Sequence, residues 1–270
     1  MINAGFPHLA LLYGIIMIKE VFPLLSNIPS VIITGASGGI GRAMASRFAG
    51  EGYRLFLQGF RQMEALRAFA DDLAARSKVP VHVLQADLAD YPSVVRMFEE
   101  ILAVDPAPDV LINNAGTACF GLLQDMSEAD YDRVMDTNMK SVFACCRQVL
   151  PSMLHRHGGV ILNISSIWGS AGSSAEVLYS ASKGAVDAFT KALGKELAPS
   201  GIRVNAIVCG VIDTPMNDVL SSADKEALAE QIPLGRFGRP EEIADLAWYL
   251  SGPGSSYITG QLIRADGAFL

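Results

Sequence analysis

The chain has 270 residues, of which half are hydrophobic and 18% are charged, and its 21 basic and 28 acidic side chains give a formal net charge of −7. This composition supplies enough apolar surface for a sizeable core and excludes an intrinsically disordered protein. The acidic pI of about 5.1 and the lack of a basic block exclude nucleic acid as an expected partner, because binding a phosphate backbone needs clustered Lys and Arg.

The cysteines show no CxxC spacing, and two of the four are adjacent; they are Cys119, Cys145, Cys146 and Cys209. This pattern suits neither a zinc site nor a disulfide framework and favours a reducing compartment. No Cys, Asp or Glu lies at ligand spacing from the histidine pair His155 and His157. The sequence therefore predicts a cytoplasmic protein without a metal site.

Residues 1–18 carry no charged side chain, and their apolar part is shorter than the roughly 20 residues that span a bilayer. Lys19 and Glu20 follow this part, whereas a secretory signal has positive charge before it and a small-residue cleavage site after it. Three interpretations stay open: a membrane-surface or partner-binding segment, an added helix packed on the domain, or upstream sequence that the working protein lacks, with Met17 as an internal start. Membrane contact through residues 4–18 is the least favoured of the three.

From residue 31 onward, short apolar runs alternate with amphipathic stretches, which is the pattern of a parallel sheet with crossover helices. The predicted strands cover residues 31–34, 53–58, 81–86, 109–112, 159–165, 202–208 and 260–264. Between the first two, Ile40, Met44 and Phe48 recur every four residues and predict a helix with one apolar stripe.

No linker, repeat or low-complexity tract interrupts this alternation. The sequence therefore predicts an α/β fold with a Rossmann-type doubly wound parallel sheet. We predict a single domain over residues 29–270, preceded by a short apolar N-terminal extension over residues 1–28.

Three glycines follow the first predicted strand at the point where a helix begins, in the sequence VIITGASGGIGRAM. Gly35, Gly39 and Gly41 have the spacing TGxxxGxG instead of GxGxxG. Glycine at such a junction lets the backbone approach a pyrophosphate at the amino terminus of a helix. This context favours a dinucleotide-binding site over an ordinary strand-to-helix turn.

Further polar and small residues occur in order along the chain: Asp87 and Leu88 after the third strand, Asn113, Asn114, Ala115 and Gly116 after the fourth, Asn138 in a helical stretch, Ser166 at the end of the fifth strand, and Tyr179 and Lys183 in the sequence YSASK. Each one alone is compatible with an ordinary structural role. Together with the glycine spacing, they resemble the short-chain dehydrogenase/reductase family. The resemblance covers all of the chain except the N-terminal extension.

The residue types in YSASK indicate acid–base chemistry. Tyr179 and Lys183 are four residues apart on a predicted helix, so both side chains lie on one face. A nearby ammonium favours phenolate, which predicts a Tyr179 pKa lowered from about 10 toward working pH and a role as general acid or base. Ser166 can donate a hydrogen bond to a substrate oxygen that becomes negative.

The resemblance implies further roles. It implies that Lys183 also holds the nicotinamide ribose, that Asn138 lies where a helix distortion holds a water of the proton relay, and that Ile212 and Thr214 belong to a segment closing over the nicotinamide. Cys209 stands where the family usually has proline, which would fix φ.

The predicted catalytic residues are Asn138, Ser166, Tyr179 and Lys183. The predicted cofactor-binding residues are Gly35, Ser37, Gly39, Ile40, Gly41, Arg61, Asp87, Leu88, Asn114, Ala115, Gly116, Tyr179, Lys183, Ile212 and Thr214.

The end of the second predicted strand bears on the choice of nucleotide. Enzymes of this fold that prefer NAD have Asp or Glu here, but this chain has Gln58, Gly59, Phe60 and Arg61. No acid repels a 2′-phosphate, and Arg61 can pair with it, so NADPH is favoured over NADH. Two observations oppose this preference. Gly38 occupies a position that is basic in many NADPH-using relatives, and Arg61 could be a solvated charge at the start of a helix.

The sequence after the sixth strand resembles the 3-oxoacyl-(acyl carrier protein) reductases in particular. This resemblance implies an NADPH-dependent reductase that transfers hydride to the β-keto group of an acyl thioester in fatty-acid or related acyl-chain synthesis. Three alternatives remain: another short-chain dehydrogenase/reductase acting on a sugar, polyol, steroid or acyl-CoA; a nucleotide-sensing scaffold without turnover; and a membrane-associated interaction protein.

The resemblance also implies a homotetramer formed through the helices that contain Asn138 and Tyr179. Apolar candidates for that contact are Val142, Phe143, Ala188 and Phe189, with ordinary packing on the sheet as the alternative.

An acidic acyl carrier protein would need a local basic patch on this acidic chain. Arg156 and Lys195 are the candidates, and the alternative for each is a solvated surface charge.

Overall fold

The structure is a computed structural model that describes residues 28–217 and 221–270. In these ranges the chain forms seven strands: β1 (Ser30–Ile33), β2 (Arg54–Gly59), β3 (Val81–Gln85), β4 (Val110–Asn113), β5 (Gly159–Ser166), β6 (Ile202–Cys209) and β7 (Leu262–Ala265). They pair in parallel, in the order β3-β2-β1-β4-β5-β6-β7. The predicted doubly wound α/β fold is confirmed.

The helices of the described ranges are α1 (Gly39–Gly50), α2 (Met63–Ser77), α3 (Tyr91–Val104), α4 (Glu128–Met135), α5 (Ser141–Arg156), α6 (Trp168–Ala171), α7 (Val177–Leu197), α8 (Ser222–Gln231) and α9 (Pro240–Ser251). A π-helical segment, Asp136–Lys140, joins α4 to α5. Apolar side chains of α1, α2 and α9 form one core with the sheet, and those of α3, α5 and α7 form a second core. Met44 and Phe48 are fully buried in the first core and Ile40 packs against it, as the four-residue spacing predicts.

Parallel pairing determines where the functional residues meet. Because every strand runs in the same direction, the segments that follow β1, β3, β4, β5 and β6 emerge at one edge of the sheet. The chain continues to opposite sides of the sheet after β1 and β4, which are neighbours. Such a switch point opens a crevice at the carboxyl ends of the strands, where ligands bind in folds of this kind.

The last strand begins later than the sequence predicts. The chain bends at Gly260, which has a φ of +68° and whose N–H donates to the Val204 carbonyl oxygen at 2.7 Å. The N–H of Gln261 donates to Asn205 Oδ1 at 3.0 Å. These bonds leave β7 to begin at Leu262.

One candidate for subunit contact is wrong. Val142 is only 3% exposed and packs in the second core with Val149 and Ile161, so its side chain has no surface to offer another copy. Phe143, by contrast, is 45% exposed, and Ala188 is exposed on α7. Phe189 is partly buried against the same core as Val142.

Residues 1–27 and 218–220 lie outside the described residues. The predicted extension over residues 1–28, its membrane contact and the boundary at residue 29 therefore stay predictions. Within the described part of the chain, no helix has the length and apolar character needed to cross a membrane.

Candidate active site

The glycine loop between β1 and α1 is too tightly packed for larger side chains. Gly35 has a φ of +62°, and a Cβ on it would lie 2.8 Å from the Cα of Ala115. A Cβ on Gly41 would collide with the Gly35 carbonyl oxygen, and one on Gly39 would lie 2.9 Å from Thr214 Cγ2. The segments after β1, β4 and β6, which contain predicted cofactor-binding residues, therefore lie against one another.

The start of α1 leaves its first-turn N–H groups without a side-chain cap. Gly38 is the N-cap residue, and no side chain hydrogen bonds there. Free N–H groups and the positive end of the helix dipole favour an anion. Ser37 lies in the loop itself, and its carbonyl oxygen accepts a hydrogen bond from Arg42 Nε at 3.0 Å. Ile40 contributes its backbone to the first turn and its side chain to the first core. This junction fits a pyrophosphate.

Thr34 is a residue that the sequence reasoning missed. Its Oγ1 accepts hydrogen bonds from the N–H groups of Asn114 at 2.9 Å and Ala115 at 3.0 Å. In return, Asn114 Nδ2 donates to the carbonyl oxygens of Thr34 at 2.9 Å and Gly35 at 3.1 Å. The segment after β4 is therefore fastened to the glycine loop. The sequence feature that could have identified Thr34 is its position directly before the first loop glycine.

Gln58 is a second brace at this edge of the sheet. Its Oε1 accepts the N–H of Gly35 at 2.8 Å, and its Nε2 donates to the Ala86 carbonyl oxygen at 2.8 Å. Asp87 comes next, with its Oδ1 accepting the Ala89 N–H at 3.0 Å, and Leu88 is buried in the second core. The glycine loop and the segment after β3 are thus held together through β2.

The end of β2 and the residues after it include a buried amide and an exposed cation. Gln58 is buried, and both of its polar groups are used inside the fold. Arg61 is exposed, with its guanidinium 5.9 Å from the centroid of the Phe60 ring. Residues Gln58 to Arg61 contain no acidic side chain.

Ser166, Tyr179 and Lys183 meet where β5 ends and α7 begins. The Tyr179 and Ser166 side chains are hydrogen bonded to each other. Lys183 follows one helical turn after Tyr179, and its Nζ lies 5.7 Å from the centroid of the Tyr179 ring. That Nζ donates to the Ile164 carbonyl oxygen at 2.8 Å. The structure therefore brings these three predicted residues together.

Asn138 is fully buried within the π-helical segment, which is a helix distortion of the kind that the resemblance implies. Its Oδ1 accepts the Thr117 N–H at 2.8 Å, and its Nδ2 donates to the Thr117 carbonyl oxygen and to Ser182 Oγ, both at 2.9 Å. A Cβ on Gly116 would lie 3.4 Å from Asn138 Oδ1 and 3.5 Å from Lys183 Nζ. Gly116, Asn138 and Lys183 consequently border one space.

The predicted lowering of the Tyr179 pKa is wrong for this state of the protein. Burial raises the pKa of Tyr179 above its ordinary value, and the Ser166 hydrogen bond opposes that rise only in part. Burial also lowers the pKa of Lys183 to about 8. The spacing correctly predicts that the ammonium is near the phenol, but burial disfavours the phenolate and is the largest influence on the Tyr179 pKa.

The segment after β6 adjoins the glycine loop. Ile212 is buried and pairs with Gly238 in an isolated bridge, and Thr214 lies against Gly39. Cys209 is a buried free thiol, and burial raises its pKa to about 12. It is neutral at working pH, in keeping with a small buried apolar residue.

The predicted docking patch does not lie beside the site of the same chain. Arg156 ends α5 and donates to the carbonyl oxygens of Ala107 at 2.6 Å and Pro108 at 2.9 Å, next to its ion pair with Asp109 at 2.8 Å. These partners precede β4, at the opposite edge of the sheet. Lys195 follows Tyr179 by sixteen residues on α7, or about 24 Å at 1.5 Å per residue. The prediction that they share an edge with the site is wrong, because both side chains lie far from the carboxyl ends of the strands; their contact with a carrier stays a prediction.

Residues 35–269 match the family model described as Enoyl-(Acyl carrier protein) reductase. The chain belongs to the short-chain dehydrogenase/reductase family. It is an NAD(P)-dependent oxidoreductase that acts on CH–OH or C=O groups.

Relatives of this short-chain dehydrogenase/reductase match it over nearly their whole length. It is 40% identical over 240 residues to the "Uncharacterized oxidoreductase YmfI" of Bacillus subtilis (strain 168), covering 89% of this chain and 98% of that protein. It is also 40% identical over 238 residues to the 3-oxoacyl-(acyl-carrier-protein) reductase FabG of Staphylococcus aureus (strain Mu50), covering 88% of this chain and 96% of that protein. Among solved structures, it is similar to an actinorhodin polyketide ketoreductase crystallised with NADPH, with a TM-score of 0.85, 33% identity, and coverage of 90% of this chain and 98% of that chain.

Proposed function

We propose that this protein is an NADPH-dependent reductase of β-ketoacyl thioesters, with 3-oxoacyl-(acyl carrier protein) as its substrate. The observation that carries the proposal is the meeting of Ser166, Tyr179 and Lys183 beside the glycine loop. The substrate is supported by the relatives named FabG, which are called reductases of that thioester. The pathway that we propose is fatty-acid or related acyl-chain synthesis.

The described residues fit a nicotinamide nucleotide. The uncapped start of α1 and the close glycine contacts suit its pyrophosphate, and the backbone of residues 114–116 borders the same crevice. Ile212 and Thr214 would lie along the nicotinamide, and Lys183 would hold its ribose. When bound, this group would supply the hydride.

Tyr179 is the proposed proton donor. Its raised pKa keeps the phenol protonated at neutral pH, which is the form that can give a proton to a carbonyl oxygen during reduction. Ser166 would hydrogen bond to that oxygen as negative charge develops. Lys183, with a pKa of about 8, would still be mostly charged at pH 7 and would stabilise the phenolate left behind.

Asn138 is proposed to complete the proton path. It fastens the loop after β4 through Thr117 and contacts Ser182 on α7, so it fixes the distance between these two sides of the site. Its location in the π-helical segment supports a role in holding a water of the relay.

The proposed preference for NADPH over NADH rests on the exposed Arg61 and the lack of an acid after β2.

We also propose an oligomeric state, a cellular location and a macromolecular partner for this protein. We infer a cytoplasmic homotetramer whose macromolecular partner is an acyl carrier protein. The exposed apolar surface at Phe143 and Ala188, and the names of the FabG relatives, support these inferences.

The test is a substrate panel. Purified protein is given NADPH or NADH together with a β-ketoacyl thioester of acyl carrier protein, the matching β-ketoacyl-CoA, a sugar, a polyol and a steroid, and nucleotide oxidation is followed by absorbance. We expect turnover of the carrier-linked thioester, with NADPH preferred. Turnover of the sugar, polyol, steroid or CoA substrate without any turnover of the carrier-linked thioester would replace this substrate by the corresponding alternative.

A substitution of Tyr179 tests whether this turnover depends on the proposed site. Tyr179→Phe should keep its affinity for NADPH and lose turnover by about 10²-fold or more, because the proton donor is gone. Tyr257→Phe is the matched control, since Tyr257 is fully exposed. Near-normal turnover by Tyr179→Phe would contradict the assigned mechanism.

A further inference from the structure

Asp187 is a buried carboxylate that the proposed mechanism does not use. It is 6% exposed, and its Oδ1 has no hydrogen-bond partner among the described residues. Its Oδ2 lies against α6, where a Cβ on Gly169 would approach it to 2.9 Å. A buried carboxylate oxygen without a partner costs folding free energy. The position of Asp187 therefore points to an effect of its charge on a neighbouring group.

The neighbouring group is Lys183, one helical turn earlier on α7. Residues separated by four positions share a helix face. Ser165 lies beside both residues, because its Oγ donates to the Lys183 carbonyl oxygen at 3.5 Å and its side chain influences the pKa of Asp187. The Lys183 Nζ itself donates to the Ile164 carbonyl oxygen. Asp187 therefore acts on the ammonium through space and does not hold it directly.

We propose that Asp187 is a positioning residue whose negative charge keeps the buried Lys183 ammonium protonated for nucleotide binding. This inference rests on the proposed function, which assigns the ribose contact to Lys183. Burial lowers the pKa of Lys183 to about 8, and the Asp187 carboxylate opposes that shift. Without the carboxylate, burial would neutralise the amine at a lower pH.

The other groups near this pair do not substitute for Asp187. Cys209 of β6 also favours the Lys183 charge when ionised, but burial raises its pKa to about 12, so it stays a neutral thiol. Tyr179, on α7, stays a neutral phenol because burial raises its pKa. Burial raises the pKa of Asp187 itself, and Ser165, Lys191 farther along α7 and Lys183 oppose that rise. Asp187 is consequently the negative charge that acts on Lys183 near neutral pH within the described part of the chain.

Two other features, a half-buried carboxyl group and a surface groove, have no identifiable ligand in the described part of the chain. Glu176 at the start of α7 is half-buried, and burial raises its pKa, but the described contacts do not link it to a ligand. The groove beside the edge strand β3, lined by His82, Glu100 and Val104, has nothing in the structure to identify an occupant.

The experiment measures NADPH affinity against pH, using nucleotide fluorescence between pH 6 and pH 9.5. Because Lys183 has a lowered pKa, the affinity that depends on its charge is present at low pH and lost as pH rises through about 8. In Asp187→Asn we expect the midpoint to fall by about one pH unit, the effect of removing one nearby opposite charge. Binding at pH 8 would then be about fivefold weaker, and binding at pH 6 unchanged.

Matched variants separate charge from shape. Asn is similar in size to Asp and removes only the charge, and Asp187→Glu should restore the midpoint of the parent protein. Glu196→Gln removes an exposed carboxylate from the same helix and should leave the midpoint unchanged. Thermal unfolding checks each fold, and Asp187→Ser is a smaller neutral replacement to use if the Asn variant does not fold.

The possible failures are distinguishable. If Asp187→Asn and the parent share a midpoint near pH 8, the role of Asp187 is wrong and the role of Lys183 stands. If Lys183→Met binds NADPH as tightly as the parent and the parent shows no loss near pH 8, the ribose contact in the proposed function is wrong. A change in midpoint for Glu196→Gln equal to that of Asp187→Asn would also overturn the proposal, because any carboxylate on α7 would then suffice.

Discussion

Tyr179 and Lys183 lie on one face of α7, and burial shifts their pKa values in opposite directions. The phenol is held protonated well above neutral pH, whereas the ammonium begins to lose its proton near pH 8. A rise in pH therefore removes the positive charge from the site before it removes the proton that the phenol donates. These protonation states suit the reduction that we propose at neutral pH, where the phenol is protonated and the ammonium is charged.

The proposed preference for NADPH depends on Arg61. Arg61→Ala should weaken NADPH binding by about ten- to a hundredfold, since a charge-assisted hydrogen bond contributes about 1.5 to 3 kcal/mol. NADH binding should hardly change, because NADH lacks the 2′-phosphate. Dissociation constants for both nucleotides check this. Arg67→Ala, at an exposed position on α2, is the control, and equal losses with both nucleotides in Arg61→Ala would contradict the contact.

Thr34 links two elements, the end of β1 and the segment after β4. Thr34→Val keeps the shape of the side chain and removes the oxygen that accepts two N–H groups. We expect a loss of about 1 to 3 kcal/mol in the free energy of unfolding for the unpaired donors, together with weaker NADPH binding. Denaturant unfolding and nucleotide fluorescence provide the two measurements.

Thr259→Val is the matched control for that change. Thr259 Oγ1 accepts the Val204 N–H at 3.1 Å, near the start of β6 and away from the glycine loop. This variant should lose stability and keep its nucleotide affinity. The link between β1 and the segment after β4 would be unimportant for binding if both threonine variants bound NADPH like the parent.

Buried parallel strands leave a strong signal in sequence, because both of their faces are apolar. For this reason all seven predicted strands lie within two residues of those in the structure, including VIIT at β1 and GVILNIS at β5. The cluster of Ser166, Tyr179 and Lys183 was also predictable, since a helix and a strand end fix their relative positions.

Other features depend on packing that no local pattern records. Thr34 and Gln58 are single polar residues at strand ends, with no periodicity to distinguish a brace from a solvated side chain. The Tyr179 pKa depends on desolvation, which residue spacing does not show. Val142 looks available for contact until its helix face is known. For Lys195, the rise of a helix was sufficient to predict its distance from Tyr179.

Exposed apolar residues on α5 and α7 form the surface that we propose as the contact between subunits. Phe143 on α5 leaves 45% of its surface exposed, and Ala188 is exposed on α7. If these residues form the proposed contact, light scattering should give four times the 28.8 kDa chain mass for the parent, and Phe143→Glu should reduce it by burying a charge in an apolar interface. Val104→Glu, at another exposed apolar residue, should not reduce it. A monomeric parent would reject the assembly and leave the chemistry intact.

The location of β1 inside the sheet has a consequence for how the chain folds. β1 comes first in the described part of the sheet, yet it pairs with β2 and with β4, and Ser30 donates its N–H to Asp109, 79 residues later. Thr214, which lies against Gly39, comes after six of the seven strands. Such non-local closure is entropically costly and slows folding. If Thr214 borders the nucleotide as we propose, most of the chain must leave the ribosome before the complete site can form, and we expect the nucleotide to stabilise only the fully paired sheet.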